Sequence, residues 1–399
     1  MQHYRIAILG AIDRFNYGDL LFPHIIESAL AEQGLDVSFR YFGLVKSDFL
    51  HKGGKPTESL NTFYKCCKLR EIDVVIVAGG ESFGTSWSRL YGFTNRVFLR
   101  LSQSRLSRFV SFEKLAIKIV HAQSDFPFIF TRSELGISQP ILLNSLGGHH
   151  FKKESSPAID LMIQKLNNIE YVSVRDRDTF AGLQHKGVLH AHLYPDSAIL
   201  MSEFFSKEKL RHLINQKTTH QKQLQGKPYV FFQLSKYKSG KDLSQVVAQL
   251  KIIIDAGYSI CLCPIGTAPG HEDHIPLRSI NEQLGEASVF IQNPSLWDIM
   301  YLISEAKLYI GTSLHGVITA MSFCVPYLAV NKQVKKVQSY LDTWSCEELN
   351  KMIDVSEIAQ CALKAMQLPV SALETSRSKQ IELSRESFKN MKGYFKNNI

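Results

Sequence analysis

A single histidine lies between an apolar strand and a helix of small apolar residues in the stretch GTSLHGVITAMSFCVPYLAV, residues 311–330. The backbone N–H groups at the start of a helix favour an anion, and Gly316, next to His315, permits close approach of the backbone. A histidine in this setting can bind a phosphate or act as a general acid. The alternative is a buried core histidine with no role in chemistry.

An arginine and an aspartate follow another predicted strand in VSVRDRDTF, residues 172–180. The guanidinium of Arg175 could form paired hydrogen bonds to a carboxylate or phosphate. Alternatively, Arg175 and Asp176 cap the next helix. In YPDSAIL, residues 194–200, Asp196 occupies a similar position, and here we favour a structural cap.

The loop after the first predicted strand, within LGAIDRFNYGDLLFPHII, lacks the GxGxxG pattern of a dinucleotide site. Asn16, Gly18 and Asp19 predict a tight turn just before an amphipathic helix. Asp19 is a candidate for contact with a ligand, although it could also cap that helix.

Two glycine-rich turns complete the candidate set. In VAGGESFG, Gly79 and Gly80 precede Glu81 at a strand end. Such a pair can turn N–H groups towards an anion, but a tight strand-to-helix turn requires the same residues. The turn LGGHH carries His149, and loop histidines are more often solvated than catalytic.

The elements that must position these residues alternate along nearly the whole chain, as in parallel β/α units. Apolar runs predict strands at 4–9, 37–42, 73–78, 140–146, 171–174, 192–194, 229–234, 258–265, 287–292, 308–311 and 327–330. Helical patterns fill most of the gaps. The candidate residues therefore follow strands, where open α/β sheets bind ligands.

The strand and helix pattern stops after Leu200 and resumes near residue 229, beyond the polar stretch NQKTTHQKQLQGKP. We predict two doubly wound, Rossmann-like α/β domains facing a cleft. The N-terminal domain spans 1–205 and the C-terminal domain 228–369. A basic linker covers 206–227, and a C-terminal helix covers 370–399 and caps one domain or crosses back to the other.

Composition sets the outer limits. The chain has 399 residues, 45% of them hydrophobic, and a net charge of +9, which indicates acidic partners. The sequence contains no run of eighteen apolar residues, and its N-terminus does not resemble a signal peptide, so we expect a cytoplasmic protein. The seven cysteines show neither zinc-ligand nor CxxC spacing, and we expect no metal site.

Residues 95–120 are basic and apolar in helical proportion, with arginines at 96, 100, 105 and 108 and a single acid, Glu113. Such a segment can lie on an anionic membrane surface, which would make the protein peripheral at the inner membrane face. The alternative is an ordinary helix with a solvated basic face. No nucleic-acid recognition module accompanies the basic residues, so we expect no nucleic-acid partner.

The order NYGDLLF, VAGGESFG, VSVRDRD, YPDSAIL, GTSLHGVITAMSFCVPYLAV and KKVQSYL resembles that of the polysaccharide pyruvyl transferases, from Tyr4 to about Leu341. The resemblance implies a GT-B-like fold. It also implies transfer of a pyruvyl group from phosphoenolpyruvate to the hydroxyls of a cell-surface polysaccharide or its lipid-linked precursor, usually as a cyclic ketal. Phosphoenolpyruvate would be a co-substrate, and no cofactor is implied.

The resemblance also implies roles for single residues on the donor side. His315 matches the histidine proposed as acid or donor ligand, with Gly316 beside it, and Arg175 matches an arginine that binds the donor. Lys336 stands where the family has its Lys-Val pair, and the neighbouring Lys332 and Lys335 are candidates for the same role.

On the acceptor side, the resemblance places the loops of the first domain at the cleft. Asp19 would act as the base that activates a sugar hydroxyl. The remaining residues expected there are Asn16, Gly18, Gly79, Gly80, Glu81 and His149.

One position departs from the family pattern. Ser313 stands two residues before His315, where the family usually has arginine, and this removes a partner for a carboxylate or phosphate. Lys332, Lys335 or Lys336 could substitute as a point charge. Two alternatives to pyruvyl transfer stay open: a GT-B glycosyltransferase that uses a nucleotide sugar, and a non-catalytic binding component of polysaccharide assembly.

Overall fold

The computed structural model of the chain describes residues 2–148, 151, 156–214, 224, 226–238, 243–332 and 334–395. Its strands are β1 (His3–Leu9), β2 (Asp36–Phe42), β3 (Ser47–Asp48), β4 (Pro56–Thr57), β5 (Val74–Ala78), β6 (Ile141–Leu146), β7 (Tyr171–Val174), β8 (His192–Leu193), β9 (Tyr229–Gln233), β10 (Ser259–Leu262), β11 (Ser288–Phe290), β12 (Leu308–Gly311) and β13 (Tyr327–Ala329).

Its α-helices are α1 (Tyr17–Glu32), α2 (Leu60–Lys68), α3 (Trp87–Gly92), α4 (Arg96–Ser102), α5 (Phe112–Val120), α6 (Arg132–Leu135), α7 (Pro157–Leu166), α8 (Arg177–His185), α9 (Met201–Phe204), α10 (Lys207–Leu213), α11 (Ser244–Asp255), α12 (His274–Leu284), α13 (Leu296–Ser304), α14 (Leu314–Ser322), α15 (Lys335–Trp344), α16 (Ile358–Ala365) and α17 (Val370–Lys392).

Two parallel sheets organise the molecule, one in each half of the chain. The first has strand order β2-β1-β5-β6-β7-β8, and the second has order β11-β10-β9-β12-β13. Central strands such as β5 (VVIVA) and β9 (YVFFQ) are buried at every residue, because helices cover both faces of each sheet. The predicted α/β class with two doubly wound sheets is confirmed.

Some local predictions differ from the structure. The short antiparallel hairpin β3–β4 has no counterpart in the predicted pattern. The tight turn predicted at Asn16, Gly18 and Asp19 is wrong: Asn16 is the N-cap of α1, and the other two residues lie in its first turn. Within the predicted linker, α10 occupies Lys207–Leu213. The division of the chain at 205 and 228 into separate domains stays a prediction.

The C-terminal helix α17 crosses back to the first half of the chain. The hydroxyls of Tyr171 and Ser387 lie 2.8 Å apart, and Arg385 forms an ion pair with Glu32 at 3.0 Å. One continuous apolar core extends from one face of the first sheet through α1 and α17 into the second half. A second core covers the opposite face of the first sheet. No helix among the described residues is long and apolar enough to cross a membrane.

Candidate active site

A cavity of about 370 Å³ lies between the two sheets and is lined by residues from both halves of the chain. Its walls come from the loops that follow β1, β5, β7, β9, β10 and β12, which are the carboxyl ends of parallel strands, where ligands of open α/β sheets bind. Nine of the predicted site residues line it: Asn16, Asp19, Gly79, Gly80, Glu81, Arg175, Ser313, His315 and Lys336.

His315 lies at the start of α14 and is held between two elements of the first half. Its Nε2 atom is 3.5 Å from Oδ2 of Asp196, which is within ion-pair range but long for a hydrogen bond. The same Oδ2 atom accepts a hydrogen bond of 2.9 Å from Nη1 of Arg175. Asp196 is fully buried, and its carboxylate lies against both His315 and Arg175, two residues that the family resemblance assigns to the donor.

The expectation that Asp196 is a structural cap describes only part of what it does. Its Oδ1 atom accepts a hydrogen bond from the backbone N–H of Ala198, which is a capping contact. Burial opposes ionisation of this carboxyl, but the interaction with His315 and the charge of Arg175 outweigh that cost, and the pKa of Asp196 is lowered. Asp196 therefore remains a carboxylate that orients both neighbours.

Glycines around His315 make room for the imidazole ring. A Cβ atom added to Gly18 would lie 1.8 Å from Nδ1 of His315, an impossible contact. A Cβ on Gly79 would lie 2.2 Å from the ring of Phe22, which packs edge-on against the imidazole at 5.4 Å. A Cβ on Gly316 would lie 2.1 Å from the Tyr309 hydroxyl. Neither Gly18 nor Gly316 lines the cavity: Gly18 leaves room for the imidazole of His315, and Gly316 leaves room for Tyr309.

Asp19 lines the cavity from the first turn of α1 and does not serve as its N-cap. The N-cap residue, Asn16, makes no side-chain capping bond and instead donates through Nδ2 to Oδ2 of Asp19, at 2.8 Å. Burial raises the pKa of Asp19, although the charges of His315, Arg14 and Lys336 and the bond from Asn16 oppose the rise. A raised pKa makes this carboxyl a better proton acceptor than an ordinary aspartate.

The three candidate lysines separate in the structure. Lys336 reaches the cavity and forms an ion pair with Glu81 of the first half, at 2.9 Å. Lys332 is exposed and pairs with Asp354 at 2.6 Å and with Glu357, away from the lining. Lys335 is exposed and does not line the cavity. His149, the remaining candidate, lies outside the described residues.

Ser313 has a structural role where the family pattern expects arginine. Its side chain accepts from the N–H of Gly316 at 3.4 Å and so caps α14. Sequence reasoning missed two other arginines in the lining, Arg14 and Arg89. Arg14 is 3% exposed and donates to Oδ1 of Asp13 at 2.8 Å and to the carbonyl of Leu90 at 2.6 Å. The only signal for Arg14 was its position two residues before Asn16.

The wall formed by the second half is rigidly bonded. Gln233 donates through Nε2 to Oδ2 of Asp273 at 2.8 Å and accepts from the N–H of Thr312 at 3.0 Å. Asp273 also accepts from the N–H groups of Ile265 and Gly266. His271 and Asp273, which belong to the sequence HEDH at residues 271–274, thus form part of the cavity wall. Over the described part of the chain, no group of three or more His, Cys, Asp or Glu side chains is arranged to hold a metal ion.

Solved structures share this fold at low sequence identity. The chain is similar to the S. aureus protein MnaA in a structure with UDP, with 12% identity, a TM-score of 0.58 and coverage of 100% of this chain and 98% of that one. It is similar to the UDP-GlcNAc 2-epimerase of Methanocaldococcus jannaschii, with 13% identity, a TM-score of 0.59 and coverage of 98% and 100%. It is also similar to the Neisseria meningitidis UDP-GlcNAc 2-epimerase bound to UDP-GlcNAc, with 8% identity, a TM-score of 0.56 and coverage of 98% of this chain and 100% of that one. The fold is therefore GT-B-like, as predicted.

The family is settled by the sequence match. The family model for polysaccharide pyruvyl transferase matches residues 16–331, which include every cavity residue except Ala11, Arg14 and Lys336. The chain belongs to the polysaccharide pyruvyl transferase family, as its motifs indicated. Among curated proteins, none matches the sequence.

Proposed function

We propose that the protein transfers the pyruvyl group of phosphoenolpyruvate to a saccharide, a cell-surface polysaccharide or its lipid-linked precursor. The observation that carries the proposal is the pairing of His315 and Arg175 on one buried carboxylate, Asp196, at the wall of a cavity that Lys336 also lines. A proton donor beside fixed positive charge is what an enol phosphate requires. Family membership supports the same reaction class.

Each residue has a defined step in this proposal. His315 delivers a proton to the methylene carbon of phosphoenolpyruvate, and the adjacent carbon becomes oxocarbenium-like. One sugar hydroxyl attacks that carbon and loses its proton to Asp19, whose raised pKa suits a base. A second hydroxyl attacks the same carbon, and the phosphate leaves with the electrons of the broken C–O bond. Of the two protons lost by the sugar hydroxyls, one replaces the proton that His315 delivered to the methylene carbon, and the other leaves with the phosphate.

Positive charge around the reacting centre offsets the charge of the donor. Arg175 and Lys336 are proposed to hold the carboxylate and phosphate of phosphoenolpyruvate. Arg14 and Arg89 would supply the positive charge of the family arginine, whose position is occupied here by Ser313. Asn16, Gly80 and Glu81 would face the acceptor. The reaction balances with phosphoenolpyruvate as co-substrate and needs no further cofactor.

The experiment is release of inorganic phosphate from phosphoenolpyruvate in the presence of a panel of diol-containing saccharides. We expect turnover by the wild-type chain and a loss of at least about a thousandfold in His315→Ala, because general acid catalysis and donor contact disappear together. His315→Gln repeats the test with less disturbance of packing. His185→Ala is the matched control, since His185 is exposed at the end of α8.

A nucleotide sugar is the second candidate donor, because similar structures contain UDP or UDP-GlcNAc. Thermal unfolding with phosphoenolpyruvate and with UDP-GlcNAc separates the two, since a ligand that binds only the folded state raises the melting temperature. A shift with UDP-GlcNAc alone, or normal phosphate release in both His315 variants, would overturn the proposal.

A further inference from the structure

The basic segment at 95–120 forms an irregular surface rather than one amphipathic helix. It consists of α4, a short 3-10 turn at Arg105–Arg108, and α5, each begun by a side-chain cap from Asn95, Ser104 and Ser111, respectively. Apolar side chains point outward along its length, with Val97 65% exposed, Leu106 50% and Phe109 86%. The others exposed there are Leu101, Val110, Leu115 and Ile119. We call this surface the apolar tip.

Positive charge surrounds the apolar tip, and its negative charge is directed inward. Arg100, Arg105, Arg108, Lys114 and Lys118 are exposed, and none of them forms an ion pair with any residue that the structure describes. The one acid of the segment, Glu113, accepts instead from the backbone N–H groups of Trp87 and Ser88, both at 2.9 Å, at the start of α3. The outer surface therefore combines apolar groups with unpaired cations.

The apolar tip adjoins the cavity through α3. Arg89, Leu90 and Phe93, in and just after α3, line the cavity. The ring of Tyr91 in the same helix packs edge-on against Phe98 of α4, at 4.8 Å. Arg96 forms an ion pair with Glu272 of the second half at 2.7 Å, so the base of the segment is fixed across the cleft.

We infer that the apolar tip docks on an anionic lipid bilayer. Exposed aromatic and aliphatic groups beside unpaired arginines and lysines match the acyl boundary and the negative headgroups of such a surface, and a protein partner would need acidic side chains to give the same match. Docked in this way, the protein holds its cavity beside the membrane and takes its saccharide from a lipid-linked precursor. This last step rests on the proposed function, whereas the docking does not.

The test is flotation of the full chain with vesicles of phosphatidylglycerol and phosphatidylcholine, compared with phosphatidylcholine alone, at increasing salt. We expect binding to the anionic vesicles that weakens with salt. The combined variant Arg100→Gln, Arg105→Gln, Arg108→Gln should lower the partition coefficient on the order of a hundredfold. The combined variant Leu106→Ser, Phe109→Ser should lower it roughly tenfold or more.

Matched controls use leucines outside the segment that are also well exposed. Leu69 and Leu189 are 70% and 74% exposed, and Leu69→Ser with Leu189→Ser should leave binding unchanged. Wild-type flotation that is absent, or equal in all variants, overturns the inference. Concentration-dependent self-association abolished by Leu106→Ser, Phe109→Ser, without flotation, would assign the tip to a second copy instead.

The two proposals fail separately in this design. Vesicle binding without phosphate release from phosphoenolpyruvate would leave docking intact and overturn the reaction. Phosphate release with a soluble saccharide and no vesicle binding would leave the proposed reaction intact and overturn the docking. The tip variants should retain activity on a soluble saccharide, because none of the substituted residues lines the cavity.

Discussion

At the residue scale, two carboxyls near one histidine have pKa values displaced in opposite directions. The pKa of Asp19 is raised, mainly by burial, while that of Asp196 is lowered because His315 and Arg175 outweigh its burial. Paired carboxyls with diverging pKa values commonly divide the work of an active site. Asp196 is suited to hold charge and geometry constant, and Asp19 to exchange a proton.

Replacing Asp19 should separate stability from activity. In wild type, a folded-state pKa above the unfolded value means that stability is lost as pH rises through the folded pKa, at about 1.4 kcal/mol for each unit of difference. Asp19→Asn removes that loss, so we expect the variant to be more stable than wild type near pH 7, with the gap closing below the unfolded pKa. We expect phosphate release to fall on the order of a hundredfold.

Urea unfolding at pH 4 and pH 7 measures the first effect, and steady-state kinetics measures the second. Asp160→Asn is the control, because Asp160 lies in the first turn of α7 but is exposed. Full activity in Asp19→Asn would show that Asp19 is not the base of the proposed reaction. If wild type and Asp19→Asn had the same free energy of unfolding at both pH values, the pKa of Asp19 would not be raised by burial.

At the element scale, Asp196 joins three parts of the chain that are distant in sequence. Asp196 accepts a hydrogen bond from Arg175 at the end of β7 and caps the 3-10 turn at Ser197–Leu200. It also faces His315 in the first turn of α14. The Trp344 indole of α15 donates to the carbonyl of Arg175 at 2.7 Å and adds a fourth element. The orientation of the candidate acid therefore depends on contacts between both halves.

Asp196→Asn should weaken both the fold and the site. The substitution removes the carboxylate that pairs with the buried Arg175, which costs about 3 kcal/mol or more in the free energy of unfolding. The wild-type pKa is lowered, so its stabilising contribution is present above the unfolded pKa and is lost as pH falls through the folded pKa. The difference between variant and wild type should thus shrink in acid.

Chemical unfolding at several pH values measures the stability difference between Asp196→Asn and wild type. The pH profile of kcat is the second measurement, because replacing a purely structural residue would not shift it. Asp354→Asn, which breaks the exposed pair with Lys332, should change the free energy of unfolding far less, because solvent screens that pair. A pH profile of kcat unchanged in Asp196→Asn would limit Asp196 to the role of a cap.

The sequence predicted the regular elements better than the connections between them. All eleven strands of the two parallel sheets were expected near their observed positions. Most are buried on both faces and are therefore written as apolar runs, whereas the edge strands β2 and β8 are only partly buried. The hairpin β3–β4 was missed, since two residues per strand carry no periodic signal. The basic segment divides at Ser104 and Ser111, whose capping role was not recognised.

The same contrast holds for the site. Arg175, His315 and Asp19 could be placed together because each follows a parallel strand, and the carboxyl ends of the strands in both sheets were expected to face one cleft. The pairing of Asp196 with His315 joins residues 119 positions apart by their numbers, and no local pattern encodes it. Lys336 could be distinguished from Lys332 and Lys335 only once the structure showed which of the three lysines lines the cavity.

At the scale of the whole molecule, the two halves are joined on one side and meet across the cavity on the other. Tyr17 and Thr319 share a hydrogen bond of 2.9 Å, and Ser322 donates to the carbonyl of Ile199 at 2.7 Å, within a continuous apolar core. An interface of this kind restricts rigid-body motion between domains. The cavity is therefore largely formed before a ligand enters.

The pair between Glu81 and Lys336 is the contact across the cleft on which donor binding should depend. Both side chains are partly exposed, so the pair is worth at most about 1 kcal/mol. In Glu81→Gln the ammonium of Lys336 is released to an incoming phosphate, and we expect the KM for phosphoenolpyruvate to fall up to about fivefold with kcat unchanged. Lys336→Gln should raise KM, and the double variant should resemble Lys336→Gln alone. Glu58→Gln, which disturbs the pair with Arg40 outside the cavity, should change neither constant. A higher KM in Glu81→Gln would contradict this prediction. It would mean that Glu81 holds Lys336 in position for phosphoenolpyruvate rather than competing with the phosphate for its ammonium group.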